Sequence, residues 1–243
     1  EGLFYIIGTS YVLTVGTLMM MKTEGHKVAS TSRTAIQGLL QGFSYLKNQR
    51  SISAVILLGV TMGLFGSSFD TLLPVFADEI YETGLDVGGR LLLGAGIGGL
   101  IATTAITLIG KRVRPALYLL IAGLGLGSAQ LIFSRIDVIA VAVIVAGFIG
   151  GFKVVLGTMN TTVVQTLVDE EFRGRVMSIN QLTWGASALG GLLMGYMAER
   201  FDAPTAMTLG GAIAILATIL VGQRLVRSFG IGSKPRQEYD STD

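Results

Sequence analysis

Two ionisable side chains fall inside long apolar stretches of this 243-residue chain. Asp70 lies in the stretch 51–77, and Lys153 lies in the stretch 138–160. At membrane depth an ionised group costs about 3 kcal/mol on insertion scales, so its presence indicates pairing or a pathway for ions or substrates. Asp70 could take up and release a proton, and Lys153 could attract an anionic group or extend its stem toward the cytoplasm.

The expected partner of Asp70 is Arg90, at the outer mouth of the next apolar stretch. Pro74 follows Asp70 by one turn and lacks a backbone donor, which loosens the local hydrogen bonding. At a rise of about 1.5 Å per residue, Asp70 and Lys153 differ in depth by roughly 15 Å, so we do not expect a salt bridge between them. Two roles for Asp70 stay open, pairing with Arg90 and binding a proton that crosses the membrane.

Three further side chains could line a cavity between helices. Asn160 lies at the end of its apolar stretch, and Gln181 and Trp184 are one turn apart in a later one. Amide groups supply hydrogen bonds and an indole supplies an apolar wall, which is a usual composition for a binding pocket. For each residue alone, helix packing or anchoring at the membrane interface is the alternative.

The segment DEEFRGR at 169–175 carries charges at a spacing typical of a helix start. Asp169 with Arg173 and Glu171 with Arg175 are pairs four residues apart, and acids at a helix N-terminus are favoured by the helix dipole. We predict two local ion pairs from this spacing. The alternative is a cytoplasmic latch that contacts another part of the protein.

The composition excludes most catalytic chemistry. Cysteine is absent and the chain has one histidine, His26, so thiolate nucleophiles and metal clusters are not expected. Gly94, Gly96 and Gly99 have the spacing of a dinucleotide-binding loop, but they lie within an apolar stretch rather than at a strand-to-helix turn. A net charge of +2 is too small for a nucleic-acid surface. We therefore expect no enzyme activity, no cofactor, no metal and no nucleic-acid partner.

Membrane-spanning helices must position these residues. Hydrophobic residues make up 51% of the chain and charged residues only 14%, and a helix needs roughly 20 apolar residues to cross a bilayer. The sequence predicts an all-α integral membrane protein with a helix at 1–21, a cytoplasmic linker at 22–50, a six-helix bundle at 51–222 and a cytoplasmic tail at 223–243. The predicted spans of the bundle are 51–77, 90–110, 116–134, 138–160, 176–198 and 204–222.

Charge and periodicity orient these elements. Fourteen of the 18 Lys and Arg residues fall on one side when the linker is taken as cytoplasmic, which agrees with the positive-inside rule. Within the linker, apolar residues at helical spacing predict an amphipathic helix at 34–50 on the membrane surface. Small residues four apart, such as Gly94 with Gly98 and Gly147 with Gly151, predict close packing between spans.

Three stretches resemble the major facilitator superfamily, in the bacterial branch similar to the enterobactin exporter. Ala35–Arg50, AIQGLLQGFSYLKNQR, resembles the linker before its seventh helix, and LPVFADEI at Leu73–Ile80 is similar to the end of that helix. Gln165–Asp202, with Arg-Gly-Arg-Val at Arg173–Val176, resembles its tenth loop and eleventh helix. The resemblance covers essentially the whole chain, and it implies helix six plus the C-terminal six-helix bundle of a twelve-helix fold.

The resemblance also implies a function. It points to a secondary active transporter in a bacterial cytoplasmic membrane, which exports a small, drug- or siderophore-like organic molecule in exchange for protons by alternating access. The implied partners are the lipid bilayer, the transported molecule, protons and an N-terminal half with helices one to five, which is missing from this chain. An importer of the same fold and a non-transporting scaffold or sensor that keeps the bundle are the alternatives.

Overall fold

The computed structural model describes residues 2–20, 35–81, 85–109 and 115–229. These residues form α-helices joined by short turns, with no strand among them. Two short π-helical turns, Met62–Gly66 and Phe76–Ile80, follow α3 and α4 without a break in the helical path. The helices are α1 (Gly2–Met20), α2 (Ala35–Asn48), α3 (Arg50–Thr61), α4 (Ser68–Val75), α5 (Leu85–Ile109), α6 (Pro115–Phe133), α7 (Ile139–Leu167), α8 (Arg173–Arg200) and α9 (Ala203–Phe229).

Five helical segments are long and apolar enough to cross a membrane, and they overlap five of the spans predicted from the sequence. They are Arg50–Ile80, Asp86–Leu108, Ala116–Phe133, Ile139–Leu167 and Ala203–Gln223. The helix α8 contains the predicted span 176–198, but polar residues such as Asn180 and Gln181 make it less apolar. That α8 and α1 also cross the membrane stays a prediction.

The chain divides into two units, residues 1–35 and 36–243. In the first unit, the hydroxyl groups of Thr9, Thr14 and Thr17 each donate to a backbone carbonyl four residues earlier. These bonds satisfy polar groups within an otherwise apolar helix, which suits a hydrocarbon environment. The first part of the predicted linker, at 22–34, and the end of the predicted tail, at 230–243, lie outside the described residues.

Helix ends differ from the predicted ones where polar residues continue a helix beyond its apolar part. The amphipathic helix predicted at 34–50 is α2, Ala35–Asn48. The helix α7 runs to Leu167, seven residues beyond the predicted end at 160, and α9 runs to Phe229, into the predicted tail. Apolar content marks the part of a helix that lies in lipid and does not mark where the helix stops.

Glycines bring the helices of the second unit into backbone contact. A Cβ atom on Gly98 of α5 would overlap the carbonyl oxygen of Gly147 on α7, and one on Gly150 would overlap the carbonyl oxygen of Ala95. A Cβ on Gly123 of α6 would likewise overlap the side chain of Thr218 on α9. The close packing that the small-residue spacing predicts is therefore confirmed for Gly98 with Gly147 and for Gly123 with Thr218.

The first π-helical turn lies in the middle of the segment Arg50–Ile80 and is held by a residue from another helix. Gln130 of α6 is fully buried, and its Nε2 donates to the carbonyl oxygen of Gly66 at 2.8 Å. A π-turn interrupts the regular backbone pattern of an α-helix and occurs often at functional sites. Gln130 thus supplies a donor at the point where the regular pattern is interrupted.

Aromatic packing fixes the helix segment that carries Asp70. The neighbouring Phe69 is 1% exposed, and its ring meets that of Phe133 edge-on at a centroid distance of 5.2 Å. Phe76 contacts the same ring, also at 5.2 Å. Because Phe69 is held in the core between helices, the next residue, Asp70, is directed to the exposed side of α4.

Candidate functional site

Asp70 of α4 and Lys153 of α7 form a salt bridge, in which Nζ of Lys153 donates to Oδ2 of Asp70. The sequence-based expectation that these residues lie too far apart was wrong. Because α7 extends to Leu167, Lys153 is at the middle of that helix, and Asp70 is five residues from the middle of Arg50–Ile80. The difference in depth is then about 8 Å, which the lysine stem can cover.

The expected pair between Asp70 and Arg90 is not formed. Arg90 donates instead to Asp86, one turn earlier on α5, at 2.6 Å. Asp86 is four residues from Arg90 on the same helix, so their side chains meet without crossing the gap between helices. Asp70 lies on a different helix, which explains why Arg90 pairs with Asp86 instead. The side chains of Arg90 and Asp86 are 60% and 73% exposed, so this pair contributes little to stability.

The salt bridge borders a cavity of about 120 Å³ between four helical segments. Of the residues predicted to line a pathway, Lys153, Asn160 and Trp184 are on its wall, and Gln181 is not. Met62, Leu126 and Leu156 supply apolar surface. Polar groups beside apolar walls are the usual composition of a small-molecule site.

Asn160 holds one wall of this cavity in place. The side chain is 6% exposed, and its Nδ2 donates to the carbonyl oxygen of Val55 on α3 at 2.9 Å. A Cβ on Gly59 would lie 3.0 Å from that nitrogen, so the glycine lets α3 approach. The observed contacts give Asn160 a positioning role between α3 and α7.

Asn180 is a cavity residue that the sequence reasoning missed. It is 2% exposed, and its Oδ1 has no hydrogen-bond partner among the described residues. A signal was present, because Asn180, Thr183, Trp184 and Ser187 recur at intervals of three and four, which places them on one face of α8. All four line the cavity.

The helix α2 contacts the turn between α7 and α8. This turn contains the first residues of the segment DEEFRGR. The hydroxyl of Tyr45 donates to Oδ2 of Asp169 at 3.0 Å, and its ring stacks on Phe172 at a centroid distance of 4.5 Å. The guanidinium of Arg175 lies 5.3 Å from the Phe172 ring. Burial raises the pKa of Tyr45 and the backbone hydrogen bond with Asp169 lowers it, with a net rise.

The two ion pairs predicted in this segment are not formed among the described residues, which include all four partners. The helix α8 begins at Arg173, so Asp169 and Glu171 lie in the preceding turn. Pairs four residues apart face each other only within a helix, and here that helix starts too late. Asp169 instead binds Tyr45, and Arg175 lies over an aromatic ring.

Comparison with known proteins places the chain in a family. The sequence pattern of the transmembrane secretion effector family, within the major facilitator superfamily, matches residues 3–240. The multidrug efflux pump Tap of Mycobacterium tuberculosis is 24% identical over 241 residues, which is 97% of this chain and 57% of that pump. The staphyloferrin A transporter of Staphylococcus aureus is 27% identical over 157 residues, 64% of this chain and 39% of that protein.

These similarities extend along the chain and agree with its architecture. A further Tap pump, from Mycolicibacterium fortuitum, is 22% identical over 240 residues, 95% of this chain and 58% of that protein. The chain thus spans somewhat more than half the length of the Tap pumps that it matches. Its several apolar helices make it a multi-pass membrane protein, and the family consists of transporters rather than enzymes. The chain belongs to the transmembrane secretion effector family of the major facilitator superfamily.

Proposed function

We propose that the complete protein exports a small organic molecule in exchange for protons, by alternating access. The observation that carries this proposal is the ion pair between Asp70 and Lys153, which joins two helices beside a partly apolar cavity. Ionisable residues within membrane helices pair with one another and mark substrate or ion pathways and proton relays. Similarity to proteins named as a multidrug efflux pump and as a staphyloferrin A transporter supports a small organic molecule as the cargo.

The chemistry of the pair supports proton exchange. While Asp70 is ionised, it neutralises Lys153, and the cavity carries no net charge from these two groups. Protonation of Asp70 removes the salt bridge and leaves an unpaired ammonium on the cavity wall, since Lys153 lines that wall. An uncharged or cationic molecule binds less well beside an unpaired ammonium, so the proton and the substrate occupy the site in turn.

Alternating access requires a second wall that moves relative to this one. In the proposed cycle, the bundle 51–222 and the N-terminal half of the complete protein rock about a cavity near the middle of the bilayer. Exposed apolar residues on α5 and α8, such as Leu100, Leu189 and Leu192, supply surface for lipid and for that second half. The charge state of the pair Asp70 and Lys153 then depends on the side of the membrane from which protons reach it.

The test uses the complete gene product in proteoliposomes with an imposed pH gradient and ethidium as the transported probe. For Asp70→Asn we expect gradient-driven transport to fall at least about tenfold, while downhill exchange of ethidium persists. Asp86→Asn is the matched control, because it removes a carboxylate from the exposed pair on α5. Full gradient-driven transport by Asp70→Asn would contradict the coupling role, and transport only in the inward direction would indicate an importer.

A further inference from the structure

The carbonyl oxygen of Gly66 accepts a hydrogen bond from another helix. In a regular α-helix this oxygen would accept from the backbone amide of Asp70, four residues later. That amide donates instead to the carbonyl oxygen of Ser67 at 3.2 Å, and ψ of Ser67 is 7° rather than about −42°. The side chain of Gln130 on α6 donates to Gly66 in its place. Residues 65–68, the break, thus interrupt the helical pattern just before Asp70.

The amide group of Gln130 makes this contact while its oxygen stays without a partner. The side chain is fully buried, with Nε2 bound to Gly66 at 2.8 Å and Oε1 unpaired among the described residues. An unpaired buried acceptor is destabilising, and an unbranched apolar side chain such as that of methionine would avoid it. The hydrogen bond from Nε2 is therefore the property that separates glutamine from an apolar residue at this position.

A second side chain satisfies another carbonyl group at the break. Ser68, also fully buried, donates from Oγ to the carbonyl oxygen of Phe65. A Cβ on Gly210 of α9 would overlap that hydroxyl, so α9 packs directly against the break. Since α6 and α9 both contact these residues, tertiary packing maintains the interruption, and its carbonyl groups keep hydrogen-bond partners.

The break connects the cavity wall to the salt bridge. Gly66 and Ser67 line the cavity, and the carboxylate of Asp70 binds Lys153 on α7. If Gln130 did not donate to Gly66, the donor that regular helix geometry supplies is the amide of Asp70. That bond would draw the backbone of Asp70 away from Ser67 and would displace its carboxylate from Nζ of Lys153.

We propose that Gln130 is a positioning residue for the salt bridge, because its hydrogen bond to Gly66 maintains the break that directs Asp70 toward Lys153. Gln130 acts through the backbone before Asp70 and from a different helix. Its consequence for proton coupling rests on the proposed export function. Its effect on the salt bridge does not, so the two are measured separately.

The first test is a double-mutant cycle on the complete protein, measured as Tm in detergent. In the unaltered protein we expect Lys153→Met to lower Tm by about 4 °C, because it leaves the carboxylate of Asp70 unpaired. In the background of Gln130→Met the same substitution should lower Tm by less than about 1 °C, since the two charges no longer meet there. Gln130→Glu should restore the full effect, because burial favours a neutral carboxyl group, which keeps an O–H donor for Gly66.

Ser134→Ala is the matched control for the loss of a buried contact. Ser134 lies one turn after Gln130, is 6% exposed, and shares a hydrogen bond with Thr208 of α9 at 2.9 Å. The substitution therefore also removes a hydrogen bond between two helices, but not one at the break. Lys153→Met should lower Tm as much in this background as in the unaltered protein.

The second test compares gradient-driven transport of ethidium with its downhill exchange in proteoliposomes that contain the complete protein. For Gln130→Met we expect gradient-driven transport to fall about fivefold, as for the loss of one hydrogen bond, while downhill exchange persists. Gln130→Glu and Ser134→Ala should retain gradient-driven transport. If Gln130→Met does not fold, Gln130→Asn replaces it in both tests, because its side chain is shorter by one carbon–carbon bond and withdraws the donor from Gly66.

Three outcomes would overturn the inference. If Lys153→Met lowers Tm equally in the unaltered protein and beside Gln130→Met, Gln130 does not position the pair, and the export function is untouched. If Gln130→Glu does not restore the effect, the hydrogen bond is not what matters. If Asp70→Asn abolishes gradient-driven transport and Gln130→Met leaves it complete, Gln130 has no part in coupling. Loss of gradient-driven transport in neither variant would instead refute the proposed proton exchange, and the Tm cycle would still decide the positioning role.

Discussion

An ammonium and a carboxylate that meet between two helices of a membrane protein stabilise each other, and each is unfavourable alone. Asp70 and Lys153 are in this situation, with 51% and 32% of their side chains exposed. The sequence identifies both residues, because charges are rare in apolar stretches. It does not identify their pairing, since the depth of each residue depends on helix ends that hydropathy does not mark. Asn180 escaped notice because an uncharged amide is common in membrane helices.

Single and double neutralisation of the salt bridge should differ in stability. Lys153→Met leaves the carboxylate of Asp70 without its partner, and we expect a loss of about 2 kcal/mol, less than for a fully buried pair because both groups are partly exposed. The double variant Asp70→Asn with Lys153→Met should recover most of this loss. Thermal unfolding of the complete protein in detergent measures both. A double variant that is as unstable as the single one would show that the two charges do not act as a pair.

Neighbouring helices meet where glycines allow their backbones to touch, and this is the feature of the elements that the sequence predicts best. The spacing of Gly94 with Gly98 and of Gly147 with Gly151 identifies the contact between α5 and α7. The π-helical turn Met62–Gly66 could not be predicted in the same way. It depends on a buried glutamine from α6, 64 positions away, which no local pattern connects to it.

Two glycines of α5 provide a matched comparison for this packing. A side chain on Gly98 would overlap the backbone of Gly147, whereas a Cβ on Gly96 would meet nothing within 4 Å. We expect Gly98→Leu to destabilise the protein by about 3 kcal/mol or to prevent folding, because the backbone must move. Gly96→Leu should stay within about 0.5 kcal/mol of the unaltered protein. Equal effects of the two substitutions on thermal unfolding would argue against backbone contact between α5 and α7.

The contact between α2 and the turn before α8 should depend on pH. The raised pKa of Tyr45 means that the folded state holds the phenolic proton more tightly than the unfolded state does. Its contribution to stability is therefore complete below pH 10 and is lost as the pH rises through the folded-state pKa. Tyr45→Phe keeps the ring stacked on Phe172 but loses the bond to Asp169, and should cost about 1 kcal/mol near pH 8. In thermal unfolding between pH 8 and 11, a stability difference between variant and parent that does not shrink would contradict this account.

At the scale of the whole molecule, the proposed cycle assigns to this chain one wall of a transport pathway. It spans 57% of the length of the Mycobacterium tuberculosis Tap pump, and large apolar side chains such as Leu100, Leu192 and Tyr196 are exposed on its helices. A cavity bounded by this unit alone can bind a molecule, but it cannot close first on one side of the membrane and then on the other. Under the proposed function, binding and transport are therefore separable.

We expect residues 1–243, reconstituted alone in liposomes, to show no saturable flux of ethidium under a pH gradient. The physical reason is that alternating access needs two bundles that move against each other. The complete gene product in the same liposomes is the positive control. Saturable, gradient-dependent flux through the 243-residue chain would refute this expectation and would point to assembly of a pathway from copies of the same unit.

The π-helical turn Met62–Gly66 also sets the angular phase of the helix beyond it. An α-helix advances about 100° per residue, and a π-turn accommodates one additional residue in its loop. Winding the same residues as regular α-helix, with none removed, would rotate everything that follows by about 100° about the helix axis. Asp70 lies four residues after the turn, so its direction toward α7 depends on the winding of this nearby backbone as well as on its own side chain. A change in that winding acts as a rotary displacement of the carboxylate, which no substitution at position 70 can reproduce.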